Sequence, residues 1–198
     1  MNEKREASLR LETTEQLFLI IKPEGDILNI PVNGMKTTDF INVLLEKKLF
    51  VEAIRYLAIA LPRREAIWWT CATNRALSSV DRNDINEQKA WETIEDWVYN
   101  PTDENRMKTY SLAEALNFET PGAYGAMGVF WSGGSLAPPE TGQIVPPSPS
   151  LTGTAVGASI LMTCAKGDPQ KISDRQKTAL EIGLDVAYGG NGLSRDMK

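Results

Sequence analysis

Two thiols, a few serines, a set of helical carboxylates and an adjacent pair of tryptophans are the side chains through which this sequence could do chemistry. Cys71 and Cys164 are its two cysteines, and there is no histidine. Without imidazole, the Ser–His and Cys–His pairings that activate a nucleophile near neutral pH are excluded, as is every imidazole metal ligand. Ser132 and Ser135 lie in FWSGGS, but no Ser-x-x-Lys pattern surrounds them and the nearest lysines are Lys108 and Lys166. Both cysteines fall in apolar helical contexts and read as buried, reduced thiols. A disulfide between them requires that the fold bring them together. Neither a GxxxxGK[ST] loop nor a GxGxxG turn after a strand is present, so no phosphate cradle is expected. Glu92, Glu95 and Asp96 read first as a solvated helix face. A Mg²⁺ site built from them is the enzymatic alternative.

Contact chemistry has better candidates. Trp68 and Trp69 are about 100° apart on a helix, so one fills the core while the other covers a boundary or a partner surface. Trp68 is assigned to the core and Trp69 to an exposed, interface-forming position, since Trp is enriched at interface hot spots. Arg63 and Arg64 stand just ahead, in a first turn where positive charge opposes the helix macrodipole. Either carboxylates such as Glu92, Glu95 or Asp96 offset them as ion pairs, or they form a site for an anion or an acidic peptide. Trp131, Gly133, Gly134, Pro138 and Pro139 complete the partner-binding candidates: Trp131 is expected to join Trp68 and Trp69 in an aromatic contact ridge, and the others stand at the start of a proline-rich strap expected to share the contact.

The elements that must position these residues are helical. Thr13 and Gln16 have capping-box spacing ahead of LFLII (Leu17–Ile21), which as a five-residue apolar run could be helix or strand. Pro23, Gly25, Pro31 and Gly34 make Lys22–Met35 a connector. Ile41, Leu44, Leu45 and Leu49, then Val51, Ile54, Leu57, Ala58 and Leu61, form successive apolar stripes at helical spacing. Pro62 ends the second and opens a helix from Arg63 to about Ser79. A further helix, with Asp84 and Glu87 at capping-box spacing, carries Ala90, Trp91, Ile94, Trp97 and Val98. Thr102–Asp103 and Thr120–Pro121 open two more. Gly133–Ser150 holds five of the eleven prolines and is expected to be extended and partly polyproline-like. Leu151–Ala165 and Pro169–Ala187 close the series before Gly189–Gly190.

The prediction is therefore all-α: an irregular antiparallel helical bundle or α-hairpin array of about seven helices with a Pro-rich surface strap. Residues 1–36 form a frayed, polar lead-in, a short helix and a connector. Residues 37–190 form the helical domain, with the strap at 133–150, and 191–198 a flexible tail. No apolar run approaches a membrane span and no signal peptide is visible, so a soluble, cytoplasmic protein without membrane insertion is expected. A formal charge of −5 argues against a broad basic nucleic-acid face. From Thr109 to Ala165 there is no Lys or Arg, and glycines recur at Gly122, Gly125 and Gly128 and in Gly153–Gly157. Tight packing within the domain explains such a stretch; a docking face for a partner is the functional alternative.

LPRREAIWW (Leu61–Trp69) and FWSGGSLAPP (Phe130–Pro139), together with WETIEDWVYNPTDENR (Trp91–Arg106) and ALEIGLDVAYGG (Ala179–Gly190), resemble a bacterial family of uncharacterised helical proteins. The resemblance covers about residues 37–190, and Lys22–Val32 looks like a local addition. It implies a cytosolic bacterial protein encoded near contact-dependent, type VI secretion genes, and carries over no catalytic residue. The expected function is a non-enzymatic protein–protein interaction module, an accessory or adaptor whose partner is a secretion component or effector, with no cofactor. The alternatives are the carboxylate–metal enzyme and a structural homo-oligomeric subunit.

Overall fold

The computed structural model describes residues 6–77, 84–137 and 142–192. Among them are nine α-helices, and the strand-like pairing is a single isolated bridge between Thr13 and Lys36. The chain is all-α, as its periodicity predicts, with more helices than the seven or so expected. Part of the excess comes from α1 (Thr14–Ile20), which settles LFLII as helix: the Thr13 hydroxyl accepts from the Gln16 N–H and the Gln16 side chain reaches back. The break between α2 (Thr37–Glu46) and α3 (Phe50–Ala60) falls where the two apolar stripes part, with Lys48 at φ +58° turning the chain.

Pro62 separates α3 from α4 (Arg63–Leu77). Asp84 caps α5 (Ile85–Tyr99), Thr102 caps α6 (Asp103–Ala115), and Thr120 with Pro121 opens α7 (Pro121–Phe130). Then come α8 (Leu151–Ala165) and, after a short 3-10 turn, α9 (Ile172–Ala187). No helix among the described residues is long and apolar enough to cross a membrane.

The segment without Lys or Arg holds the middle of the protein. Every residue of α7 except Tyr124 is buried, and α7 packs on α5, α6 and α8. In turn α8 lies against α3, α4 and α9. A helix covered on all sides has no solvent face to carry charge. The small residues are where neighbours approach: a Cβ on Gly153 would lie 2.7 Å from the Ala58 carbonyl oxygen of α3, and one on Gly125 2.9 Å from Ile94 Cδ1 of α5. The glycine-bearing faces are thus covered within the domain, which corrects the docking-face alternative. A buried hydroxyl relay ties the centre together: Thr70 Oγ1 donates to Ser159 Oγ at 2.8 Å, and Ser159 donates to the Pro121 carbonyl at 2.7 Å.

Residues 6–36 are not a frayed appendage. The Ser8 N–H donates to the Ala187 carbonyl and the Arg10 N–H to the Ala60 carbonyl, both at 2.8 Å. Leu17, Ile27 and Ile30 are buried in the common core. The described part of the strap is irregular and mostly exposed, yet it folds back on itself rather than running straight. Leu136 N–H donates to the Val145 carbonyl at 2.8 Å, and Ser135 Oγ accepts from the Ala137 and Val145 N–H groups. Residues 193–198 of the expected flexible tail lie outside the described residues, whereas Asn191 and Gly192 are held by hydrogen bonds to Trp68 and Asp185.

Candidate functional site

The two tryptophans exchange the roles expected for them. Trp69 is wholly buried; its indole N–H donates to the Ala179 carbonyl at 2.7 Å, and its ring presses on α9 where Gly183 leaves room. A Cβ at Gly183 would sit 2.7 Å from Trp69 Cζ2. Trp69 therefore cannot touch a partner. Trp68, expected in the core, is the half-buried one. The swap follows from where α9 crosses α4, which helix periodicity along α4 alone does not carry.

Trp68 walls a hollow of about 420 Å³ between the first half of α4, the end of α5 and the segment after α9, with Tyr99, Val98, Val186 and Asn191 around it and Arg64 and Glu65 also lining it. Three contacts set the indole. Tyr99 meets it edge-on with centroids 6.0 Å apart, the Arg75 guanidinium lies 5.3 Å from its ring centroid, and Nε1–H donates to the Asn191 carbonyl at 2.9 Å. Arg75 is held in turn by Glu95, its ion-pair partner. Tyr99 is 69% exposed, so a large aromatic face stands open beside Trp68. Tyr99 was missed in the sequence because it falls off the apolar stripe of α5. An aromatic residue just before the Asn100–Pro101 stop was the signal that could have found it.

Neither arginine ahead of Trp68 forms the ion pair expected with Glu92, Glu95 or Asp96; each instead gives one nitrogen to a backbone carbonyl. Arg63 Nη1 donates to the Ser132 carbonyl at 2.8 Å and Arg64 Nε to the Val98 carbonyl at 2.7 Å. The last carbonyls of a helix lack intrahelical donors and carry the negative end of its dipole, so a cation from another helix suits them. Arginine does the same elsewhere. Arg10 Nη2 donates to the Ile59 carbonyl of α3 at 2.9 Å, Arg106 Nη1 to Phe130 of α7 at 2.7 Å, and Arg175 Nε to Cys164 of α8 at 2.7 Å. None of α3, α5, α7 and α8 has a basic residue in its own last turn.

FWSGGS belongs to this capping scheme. Arg106, 4% exposed, spans Asp103 at 2.7 Å and the Phe130 carbonyl, and lies 5.3 Å from the Phe130 ring centroid. Gly134, at φ +66°, turns the chain over that ion pair; a Cβ there would collide with the Arg106 guanidinium and sit 2.7 Å from Asp103 Oδ1. Gly133 has open space around its Cα, and Trp131 is partly buried against the core, without lining the Trp68 hollow. The expected ridge of Trp68, Trp69 and Trp131 is therefore not assembled as one surface. Pro138 and Pro139 lie outside the described residues.

The nucleophiles are muted. Burial pushes the Cys164 thiol up to about 12 and the Cys71 thiol higher still, so thiolate is scarce at neutral pH. Among the described residues no three carboxylate or thiol side chains gather into a metal-binding group, Glu92, Glu95 and Asp96 included. What this region offers chemically is an aromatic surface with a charged rim rather than a reacting centre.

No curated protein sequence and no solved structure matches the chain. Residues 40–187 match a family profile, a span that runs from α2 to the end of α9 and includes Trp68, Tyr99 and every helix whose end an arginine closes. The chain belongs to that family, described as Family of unknown function (DUF6931).

Proposed function

We propose that this protein is a non-enzymatic interaction module, an accessory or adaptor acting with a bacterial secretion apparatus or its cargo, and that it engages its partner through the Trp68–Tyr99 hollow. The observation that carries this is the open aromatic pair itself: a tryptophan held in place by Tyr99, Arg75 and the Asn191 carbonyl, beside a tyrosine left mostly in water. Trp, Tyr and Arg in a fixed arrangement are the side chains that dominate binding energy at interfaces, because they bury large areas at small entropic cost. The secretion assignment rests on the family resemblance, and the contact surface rests on the hollow.

A photo-crosslinking amino acid at Tyr99, compared with one at the still more exposed Leu19, tests the surface in cells that express the protein at native level. A discrete adduct from position 99, identified as a secretion component and lost on Trp68→Ala, is expected. Identical adduct patterns at both positions would remove the hollow as the contact, and an adduct with an unrelated protein would remove the secretion assignment.

A further inference from the structure

A second cleft lies at the other end of the α4–α5 pair, with a volume of about 370 Å³ and none of the residues of the Trp68 hollow. Its volume suits a small ligand. Three carboxylates line it, Asp84, Glu87 and Glu119, against a single ammonium, Lys166. None of the ion pairs among the described residues involves these four groups, so no cation of a described residue neutralises the carboxylates at contact distance. The last residue of α8, Ala165, also lines the cleft, but Arg175 already meets the Cys164 carbonyl of that helix, so the negative charge of the cleft is that of its carboxylates.

The floor supplies an independent observation. Asn74 is 5% exposed and lines the cleft, yet its side-chain amide has no hydrogen-bond partner among the described residues. The amide is not sealed from solvent; it opens into the cleft, where its two donors and its acceptor are available. Beside it lies Trp91, whose N–H is already committed to Glu87 at 3.1 Å and whose ring, 7% exposed, offers apolar cover. Glu87 is likewise committed, accepting from Trp91 and from the Gly122 N–H at 2.9 Å.

We infer that this cleft binds a small organic cation, a primary ammonium or guanidinium on a short apolar stem. The charged head is met by Asp84 and Glu119 under the field of Glu87. The Asn74 amide supplies a directional hydrogen bond, and the stem packs along Trp91. The same chemistry is presented by a free amine and by a lysine or arginine side chain of a polypeptide.

Titration of the full-length protein, followed by amide chemical shifts, distinguishes these sources. The probes are butylammonium and spermidine for the free amine, and a capped Gly-Lys-Gly peptide for the side chain; magnesium chloride at matched ionic strength is the control. Saturable shifts around Asn74 and Trp91 are expected, with whichever probe type binds more tightly naming the source. The double variant Asp84→Asn/Glu119→Gln should weaken binding at least tenfold. It leaves the fold intact, because Asn is as good a helix N-cap as Asp and Glu119 is exposed. Asn74→Leu should weaken binding as well. The inference is overturned if no probe saturates, if magnesium displaces the amine completely, or if affinity survives the double variant in a protein whose unfolding midpoint is unchanged.

Discussion

The two ends of α7 meet opposite charges, and neither charge is its own. At the N-terminus, Glu87 of α5 accepts from the Gly122 N–H, from the Thr120 hydroxyl and from the Trp91 indole. At the C-terminus, Arg106 of α6 donates to the Phe130 carbonyl while Asp103 steadies it. Each helix terminus leaves backbone groups unsatisfied, amides at one end and carbonyls at the other. A buried helix cannot rely on water for them. Residues flanking this central helix therefore supply an anion and a cation, both nearly out of solvent. A stretch without charge is thus not a stretch without electrostatics; its charges are drawn from elsewhere in the chain.

The two ends are not equal, and variants can expose the difference. The largest effect is expected for Glu87→Ala, which strands three donors at once. It should cost about 3 kcal/mol or more in urea denaturation, while Glu87→Gln, retaining acceptors, should cost about 1 kcal/mol. Arg106→Met removes one strong donor and should cost about 2 kcal/mol, leaving the Phe130 carbonyl unmet. Were Arg106→Met the more damaging of the two, the carbonyl end would govern and the comparison would invert. Arg64→Ala deletes a cap on the exposed side of α5, and its cost should stay near about 0.5–1 kcal/mol.

The smallest effect concerns the thiols beside this framework. Cys71 and Cys164 should not react with a disulfide reagent at pH 7.5 until the chain unfolds, and reaction at the rate of free thiol would contradict their burial. Their folded pKa values lie above the unfolded one, so their contribution is complete below about pH 8.5 and is lost as pH rises from there. The urea midpoint should therefore fall less steeply between pH 8 and 10 in Cys71→Ala/Cys164→Ala than in the native protein.

Much of the helix plan was legible because it is written in local spacing. The Thr13–Gln16 box, the Thr120–Pro121 start and the Ile54, Leu57 and Leu61 stripe depend on neighbours within a turn or two. Glu87 shows where that stops. Its spacing from Asp84 suggested a reciprocal box, and Asp84 does accept from the Glu87 N–H at 2.9 Å, but the Glu87 carboxylate turns to α7, 35 residues on. Arg63 and Arg64 fail in the same way, since backbone carbonyls leave no mark in a sequence. The Trp68 hollow was half legible. Its tryptophan was found, but its exposure was assigned to the neighbour because only the crossing of α9 at Gly183 distinguishes them.

The N-terminal arm has a consequence for the order of assembly. Ser8 and Arg10 close onto backbone carbonyls of Ala187 and Ala60, so the arm is fastened partly by a helix made long after it. On the ribosome the arm can find Ala60 early, but its anchor on Ala187 does not exist until α9 has left the exit tunnel. The latch closes only once α9 has emerged, and a chain truncated before α9 would carry the arm half unfastened.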